Sequence, residues 1–135
     1  MDVKLYYEKS FGELPNCFQT MNAEFLKYVP DESISVVLPV LEEHLNPGGA
    51  MQGGFITAAF DNVFGPLAQL TLQSFGVATI MLSTNYHRPI FSGDNIKITA
   101  EVKMKGRTMI HMIAEAYNNE GKLIATANTT YVKTN

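Results

Sequence analysis

Asp61 is an ionisable residue in a strongly apolar part of the chain. No other residue from Gly53 to Phe75 is charged. Because burying an ionised carboxylate without a partner is costly, we expect this acid to be paired. A buried carboxylate can act as a nucleophile or as a general base that activates water. The alternative interpretation is a satisfied buried acid that accepts backbone N–H groups.

A glycine-rich loop at residues 46–54 precedes this acid. Where Gly53 and Gly54 open a helix, their backbone N–H groups lack intrahelical acceptors, and the helix dipole is positive there. Since no side chain is in the way, a substrate carbonyl can approach closely, as an oxyanion site requires. Asn46 would add an amide donor or brace the loop. A tight strand-to-helix turn also explains the two glycines.

The spacing of these groups carries a prediction about assembly. Gly54 and Asp61 are seven residues apart, which separates them by about 10 Å along one helix. A reacting carbon must lie roughly 3 to 3.5 Å from its attacking group. One helix therefore cannot easily supply both groups. Two antiparallel helices related by a two-fold axis can, which predicts an isologous homodimer with two composite sites.

The spacing of apolar residues predicts the elements that position these groups. Residues 15–29 have the period of a short amphipathic helix, and residues 33–41 alternate as a strand does. The run at 52–74 is apolar on nearly all sides, which is typical of a buried helix, with a kink or restart at Pro66. Four further strands joined by short turns follow. The predicted fold class is α+β, with a five-stranded antiparallel sheet wrapped around the long helix.

Length and composition predict the general class of protein. A chain of 135 residues is typical of one domain, with residues 1–30 as a variable N-terminal segment containing a short helix. A net charge of −3 argues against a nucleic-acid partner. A single cysteine excludes an internal disulfide and fits a reducing compartment. With no signal-like segment and no uninterrupted apolar span, we expect a cytoplasmic protein without a membrane partner.

Several short motifs occur together in a fixed order. They are Asn46-Pro47, Gln52-Gly53-Gly54, Asp61, Tyr86-His87-Arg88-Pro89, Gly93-Asp94, Lys105-Gly106-Arg107 and Gly121-Lys122-Leu123-Ile124-Ala125. With this combination over residues 33–131, the chain resembles the hotdog-fold acyl-CoA thioesterases, and in particular the phenylacetyl-CoA thioesterase-like family. Gln52 is a departure, because many members have His there. An amide can position a carbonyl or bond the loop but cannot transfer a proton.

The resemblance implies a function and a mechanism. The function is hydrolysis of an aromatic or medium-chain acyl-CoA to free acid and CoA, with no cofactor or metal beyond the CoA of the substrate. Asp61 would be nucleophile or general base, and Gly53 and Gly54 of the partner subunit would form the oxyanion hole. Gln52 would have a positioning role, and Thr79 aligns with a hydroxyl that orients water in related enzymes. The resemblance also implies a homodimer, often assembled into a homotetramer.

Further residues are candidates for binding the substrate. They are Phe60, Phe64, Met81, Ser83, Lys105 and Arg107. The apolar members would line an acyl pocket, although core packing is the default interpretation. Ser83 is expected to share the strand face of Thr79. The two basic residues, at a turn, would meet the phosphates of CoA or would simply be solubilising surface.

Two competing functions remain open at this stage. A hotdog hydratase acting on an enoyl or hydroxyacyl thioester would want a His paired with an acid near the helix. Neither Gln52 nor the residues that follow Asp61 supply that His. The three histidines, His44, His87 and His111, are too scattered to suggest a metal site. A non-catalytic acyl-CoA-binding protein would keep the fold, but binding alone does not require Asp61.

Overall fold

An antiparallel sheet packed against one long helix makes up most of the molecule. The computed structural model describes residues 1–134. The elements are α1 (Val3–Phe11), α2 (Asn16–Thr20), β1 (Glu24–Val29), β2 (Ser33–Pro39), a 3-10 turn (Glu42–His44), α3 (Gly53–Leu72), β3 (Val77–Tyr86), β4 (Asn95–Lys105), β5 (Met109–Tyr117) and β6 (Leu123–Lys133). The strand order in the sheet is β1-β2-β4-β5-β6-β3. The α+β class with a central helix is confirmed, but the sheet has six strands rather than five.

The additional strand comes from a stretch that the sequence predicts as helix. Only the first part of residues 15–29 is helical, because α2 ends at Thr20 and the rest forms β1, which pairs with β2. Asn22 has a φ of 51°, a left-handed conformation that Asn tolerates and that ends a helix. The chain folds back there, so that the rings of Phe18 and Phe25 stack with centroids 4.4 Å apart. The helix-like spacing therefore reflects two elements that share one core.

The first residues of the chain pack against the end of α3. The side chain of Asp2 accepts a hydrogen bond from the N–H of Leu5 and thereby caps α1. Tyr7 of α1 is buried, and its hydroxyl bonds the side-chain oxygen of Gln69 on α3. The N-terminal segment is thus attached to the central helix by a partly buried polar contact.

The central helix α3 has a buried face and an open face. It packs against β2, β3, β4, β5 and β6, and the buried side chains include Phe60 and Phe64. The prediction of burial on all sides is wrong, because Gly54, Ala58 and Asp61 lie exposed on one stripe. The sheet covers the helix from one side only. Of the predicted kink or restart at Pro66, the restart is wrong, since α3 continues through this residue as one helix. None of the described helices has the length and apolarity needed to cross a membrane.

Strand β3 lies at an edge of the sheet and contains an irregularity. It pairs with β6 on one side, and the strand register shifts between Thr79 and Met81. Such a bulge adds one residue to one strand and reverses the side-chain alternation beyond it. Thr79 and Thr84, five positions apart, consequently both face α3, where they bond Asp61 and Thr57.

Candidate functional site

Two hydroxyl groups of the sheet meet one oxygen of the Asp61 carboxylate. The hydroxyl of Thr79 donates to Oδ1 of Asp61 at 3.2 Å, and the hydroxyl of Tyr131 donates to the same oxygen. Thr79 on β3 and Tyr131 on β6 are directly opposite each other in the strand register. Two neighbouring strands therefore hold the carboxylate by one of its oxygens.

The phenol of Tyr131 remains protonated at neutral pH and so remains a donor. Its side chain is 4% exposed. Burial raises the pKa of Tyr131 above its ordinary value, and the hydrogen bond to Asp61 raises it further. A neutral phenol beside a carboxylate can only donate, because the carboxylate has no proton of its own to give. The contact fixes both the direction of the hydrogen bond and the orientation of the acid.

A cavity of about 490 Å³ opens beside this carboxylate. Thr79 and Tyr131 form part of its wall, α2 contributes Cys17 and Phe18, and Met21 follows directly after α2. The pocket is therefore built between the central helix, two strands and the N-terminal segment, with an acid at its wall and apolar side chains around it. Such a combination of apolar lining and few polar groups is typical of small-molecule sites.

The first turn of α3 leaves two backbone donors unused. Within residues 1–134, the N–H groups of Gly53 and Gly54 have no hydrogen-bond acceptor, whereas the N–H of Phe55 bonds the carbonyl and the side-chain oxygen of Gln52. Gln52 is thus the N-cap of α3. The pair of free N–H groups at a helix start is the arrangement that an oxyanion hole requires.

Gly53 and Asn46 belong to a second, smaller cavity of about 310 Å³. The ring and hydroxyl of Tyr86 approach Gly53 so closely that a Cβ on this residue would lie 3.1 Å from Cζ of the tyrosine. Asn46 braces the loop, because its Oδ1 accepts from the N–H groups of Gly48 at 2.9 Å and Ala50 at 3.1 Å. An alanine at Gly53 would therefore require the exposed ring of Tyr86 to shift by a few tenths of an ångström.

The structure brings the predicted catalytic residues together in two groups rather than one. Asp61 and Thr79 lie at the large cavity, whereas Asn46 and Gly53 lie at the small one. Gly53 and Asp61 lie on the same uninterrupted helix, and Gly54 and Asp61 are seven positions apart. A single chain therefore does not place the acid next to the glycine donors.

The predicted substrate-binding residues are dispersed. Phe60 and Phe64 are fully buried and stack with ring centroids 6.2 Å apart, so they pack in the core and not along the cavity at Asp61. The prediction that Ser83 shares the face of Thr79 is wrong, because the bulge turns Ser83 away from α3. Met81 is likewise exposed on the outward side of β3.

The two basic candidates also lie apart from the acid. Lys105 ends β4, and Arg107 follows in the turn to β5. Both are exposed, and neither contributes to the wall of the cavity at Asp61. Among residues 1–134, no group of three or more His, Cys, Asp or Glu side chains is arranged to hold a metal ion.

The sequence interpretation missed the role of Tyr131, which lies on β6 and is buried. A phenol on a core-facing position needs a hydrogen-bond partner when it is buried. The lone acid of the central helix is the partner it finds. A core-facing phenol and a lone acid on an apolar helix were the signal available in the sequence. Choosing Asp61 over other acceptors required the strand register.

Comparisons with known proteins identify the family. Residues 48–125 match the thioesterase superfamily. The chain is 32% identical over 87 residues to a Caenorhabditis elegans protein named as an esterase, and the match spans 64% of this chain and 52% of that protein. It is 30% identical over 89 residues to human acyl-coenzyme A thioesterase 13, spanning 65% of this chain and 64% of the relative.

The fold has a close structural counterpart. The PaaI protein of the E. coli phenylacetic acid degradation operon superposes with a TM-score of 0.86 at 18% identity, over 98% of this chain and 94% of that one. At this identity the likeness concerns the fold, and it confirms the hotdog architecture. The family match covers more than half of the chain and includes residues 48–54 of the glycine loop, Asp61 and Thr79. The chain belongs to the thioesterase superfamily.

Proposed function

We propose that the protein hydrolyses acyl-CoA thioesters and that Asp61 is the reacting carboxylate. The observation that carries the proposal is the Asp61 carboxylate at the wall of an apolar cavity, with its Oδ1 held by two hydroxyl donors. Membership of the thioesterase superfamily and the similarity to human acyl-coenzyme A thioesterase 13 support this chemistry.

The reaction consumes one water and needs no redox step. Asp61 either takes a proton from a water that attacks the thioester carbon, or attacks that carbon itself and forms an anhydride that water then cleaves. In both routes a C–O bond forms and the C–S bond breaks. The electron pair leaves on the sulfur of CoA, which takes up a proton. The products are a free carboxylic acid and CoA.

The site is completed by a second copy of the chain. Gly53 and Gly54 of the partner subunit would supply the N–H donors that stabilise the oxyanion formed beside Asp61. Two features support this assembly. The exposed stripe of α3 carries Gly54, which has no side chain, and Ala58, which has a small one, so that another helix can pack closely against it. The outer edge of β3 has no strand partner within residues 1–134 and exposes Ile80 and Met81.

Such an edge is suited to pairing with its own copy. An isologous pair of β3 strands continues the sheet across the two-fold axis and places the two α3 helices antiparallel. Assembly of two such dimers into a homotetramer is the further step that we expect.

The acyl group is proposed to be aromatic or medium-chain. The cavity of about 490 Å³ at Asp61 is lined by Phe18, Met21 and Val77, which would exclude a charged acyl chain by the cost of desolvation. Lys105 and Arg107, both exposed at the β4–β5 turn, are the candidates for contacts with the phosphates of CoA.

The test is release of free thiol from phenylacetyl-, hydroxyphenylacetyl- and medium-chain acyl-CoA by the purified protein. Wild type should turn over at least one of them, and Asp61→Ala should lose about 100-fold or more of kcat, as removal of a positioned base or nucleophile does. Glu120→Gln, in an exposed hairpin, is the control, because it also removes a carboxylate. This variant should retain full activity.

Other results would lead to different functions. Tight binding of acyl-CoA without thiol release would favour the non-catalytic binding protein. Addition of water to an enoyl-CoA without thiol release would favour the hydratase. Equal thiol release by wild type and Asp61→Ala would remove Asp61 from the mechanism.

A further inference from the structure

The two donors on Asp61 act on the same oxygen, and this leaves the other oxygen unbound. Thr79 and Tyr131 both donate to Oδ1. In the part of the chain that the structure describes, Oδ2 accepts no hydrogen bond. The two oxygens of the carboxylate are therefore not equivalent, since one is anchored to the sheet and the other can meet a ligand in the cavity.

We propose that Tyr131 is a positioning residue that holds Oδ1 of Asp61, so that Oδ2 is the oxygen that acts on the thioester or on water. The inference rests on the proposed function and adds to it a residue from the last strand. Tyr131 acts through Asp61, whereas the backbone donors of Gly53 and Gly54 would act on the substrate directly.

The position of the phenol explains why it can hold the acid firmly. Its ring is buried and its hydroxyl lies 3.4 Å from the backbone carbonyl oxygen of Asp61, close to the helix axis. Gly65, one turn further along α3, lies beside the phenol, and a Cβ there would be at an ordinary contact distance of 3.8 Å from its oxygen. Strand β6 is paired on both sides, with β5 and β3, which keeps the backbone of Tyr131 fixed.

The contribution of Tyr131 differs from that of Thr79. Thr79 lies on an edge strand at a bulge and is exposed, so its hydroxyl can turn toward solvent or substrate. The phenol of Tyr131 has two χ angles, a buried ring and no alternative acceptor as close as the carboxylate. We therefore assign orientation of the carboxylate mainly to Tyr131.

The structure offers a matched control for this role. Tyr7 is also buried and also bonds α3 through its hydroxyl, but its partner is Gln69 rather than Asp61. Tyr7→Phe and Tyr131→Phe each remove one buried phenol oxygen and one side-chain bond to the same helix. A difference between the two variants therefore reports on Asp61 and not on the general loss of a buried hydroxyl.

The experiment compares kcat and KM for thioester hydrolysis in wild type, Tyr131→Phe and Tyr7→Phe. We expect kcat of Tyr131→Phe to fall by about 10-fold to 100-fold with KM within about twofold, as for loss of orientation at a reacting group. Tyr7→Phe should keep its kcat within about twofold of wild type. Equal kcat in all three proteins overturns the inference, and so does an equal loss in both variants.

A second measurement is independent of activity. Chemical unfolding of Asp61→Ala, Tyr131→Phe and the double variant forms a cycle in which a direct contact makes the two effects non-additive. Strict additivity overturns the inference, whatever the activity. If wild type cleaves no thioester while the cycle is non-additive, the proposed function has failed but the contact between Tyr131 and Asp61 stands.

Discussion

The hydroxyl of Tyr86 donates a 2.7 Å hydrogen bond to the carbonyl oxygen of Gly53, and it also lies 2.7 Å from the hydroxyl of Thr57. The last residue of β3 thereby fixes the first turn of α3. The same strand contacts Asp61 through Thr79 at its other end. One edge strand thus positions both the free N–H groups and the acid, although they belong to separate cavities of a single chain.

Gly53→Ala should impair turnover because the added Cβ would lie 3.1 Å from Cζ and 3.2 Å from the hydroxyl oxygen of Tyr86. The tyrosine or the helix start must shift by a few tenths of an ångström. We expect kcat/KM to fall by about 10-fold, since a displacement of about 1 Å at a reacting group costs about 100-fold. Steady-state kinetics give the measurement. Gly53→Ala should cost less kcat/KM in a Tyr86→Ala background than in wild type, and an equal cost in both backgrounds would place the cause elsewhere than in this steric contact.

Gln52→Ala should lower the free energy of unfolding by about 0.5–2 kcal/mol, the usual effect of losing an N-cap. The reason is that Oε1 of Gln52 accepts the N–H of Phe55 in the first turn of α3. Gln52→Glu keeps an acceptor oxygen and adds a negative charge where the helix dipole favours one, so its stability should equal or exceed that of wild type. Chemical denaturation at constant protein concentration measures the free energy of unfolding of both variants. A Gln52→Ala variant as stable as wild type would contradict the capping role.

Ile80→Lys should weaken the proposed dimer and, with it, thioester hydrolysis. Ile80 is 54% exposed on the unpaired edge of β3, and a lysine at such an edge opposes strand pairing. As the Ile80→Lys variant is diluted, its mass in solution, measured by light scattering, and its rate of thiol release should decline together. Met104→Lys, at the end of β4 and 66% exposed, is the matched control and should leave both unchanged. A fully active Ile80→Lys monomer would contradict the composite site.

The free energy of unfolding should decrease in alkaline solution, because the folded chain keeps two phenols protonated that the unfolded chain ionises. Burial raises the pKa of Tyr7 and of Tyr131 above the ordinary value. Above about pH 10 the unfolded chain loses these protons while the folded chain keeps them, so the free energy of unfolding falls as pH rises. The full contribution is present below that pH, and each phenol should add a slope of about 1.4 kcal/mol per pH unit above it.

Chemical denaturation over a series of pH values measures this slope. In Tyr131→Phe this slope should fall by the contribution of one phenol, and the contribution of Tyr7 should remain. An unchanged slope in this variant would mean that Tyr131 ionises as readily in the folded chain as in the unfolded one.

The sequence by itself predicts the elements that have a strong period and the residues that stand out chemically. Strict alternation in the last strands, the long apolar helix and the lone Asp61 need no tertiary information, because side-chain period and charge are local properties. The seven-residue offset between Gly54 and Asp61 likewise follows from helix geometry. These features sufficed for the fold class and for the two halves of the candidate site.

Only the tertiary structure decided which residues face one another. A left-handed Asn22 turned a predicted helix into α2 and β1, and a bulge after Thr79 moved Ser83 to the opposite face. Both depend on strand pairing, which joins residues distant in the chain and is not encoded in local spacing. The meeting of Thr79 and Tyr131 on one oxygen of Asp61 is likewise a consequence of register, since 52 positions separate the two donors in the sequence.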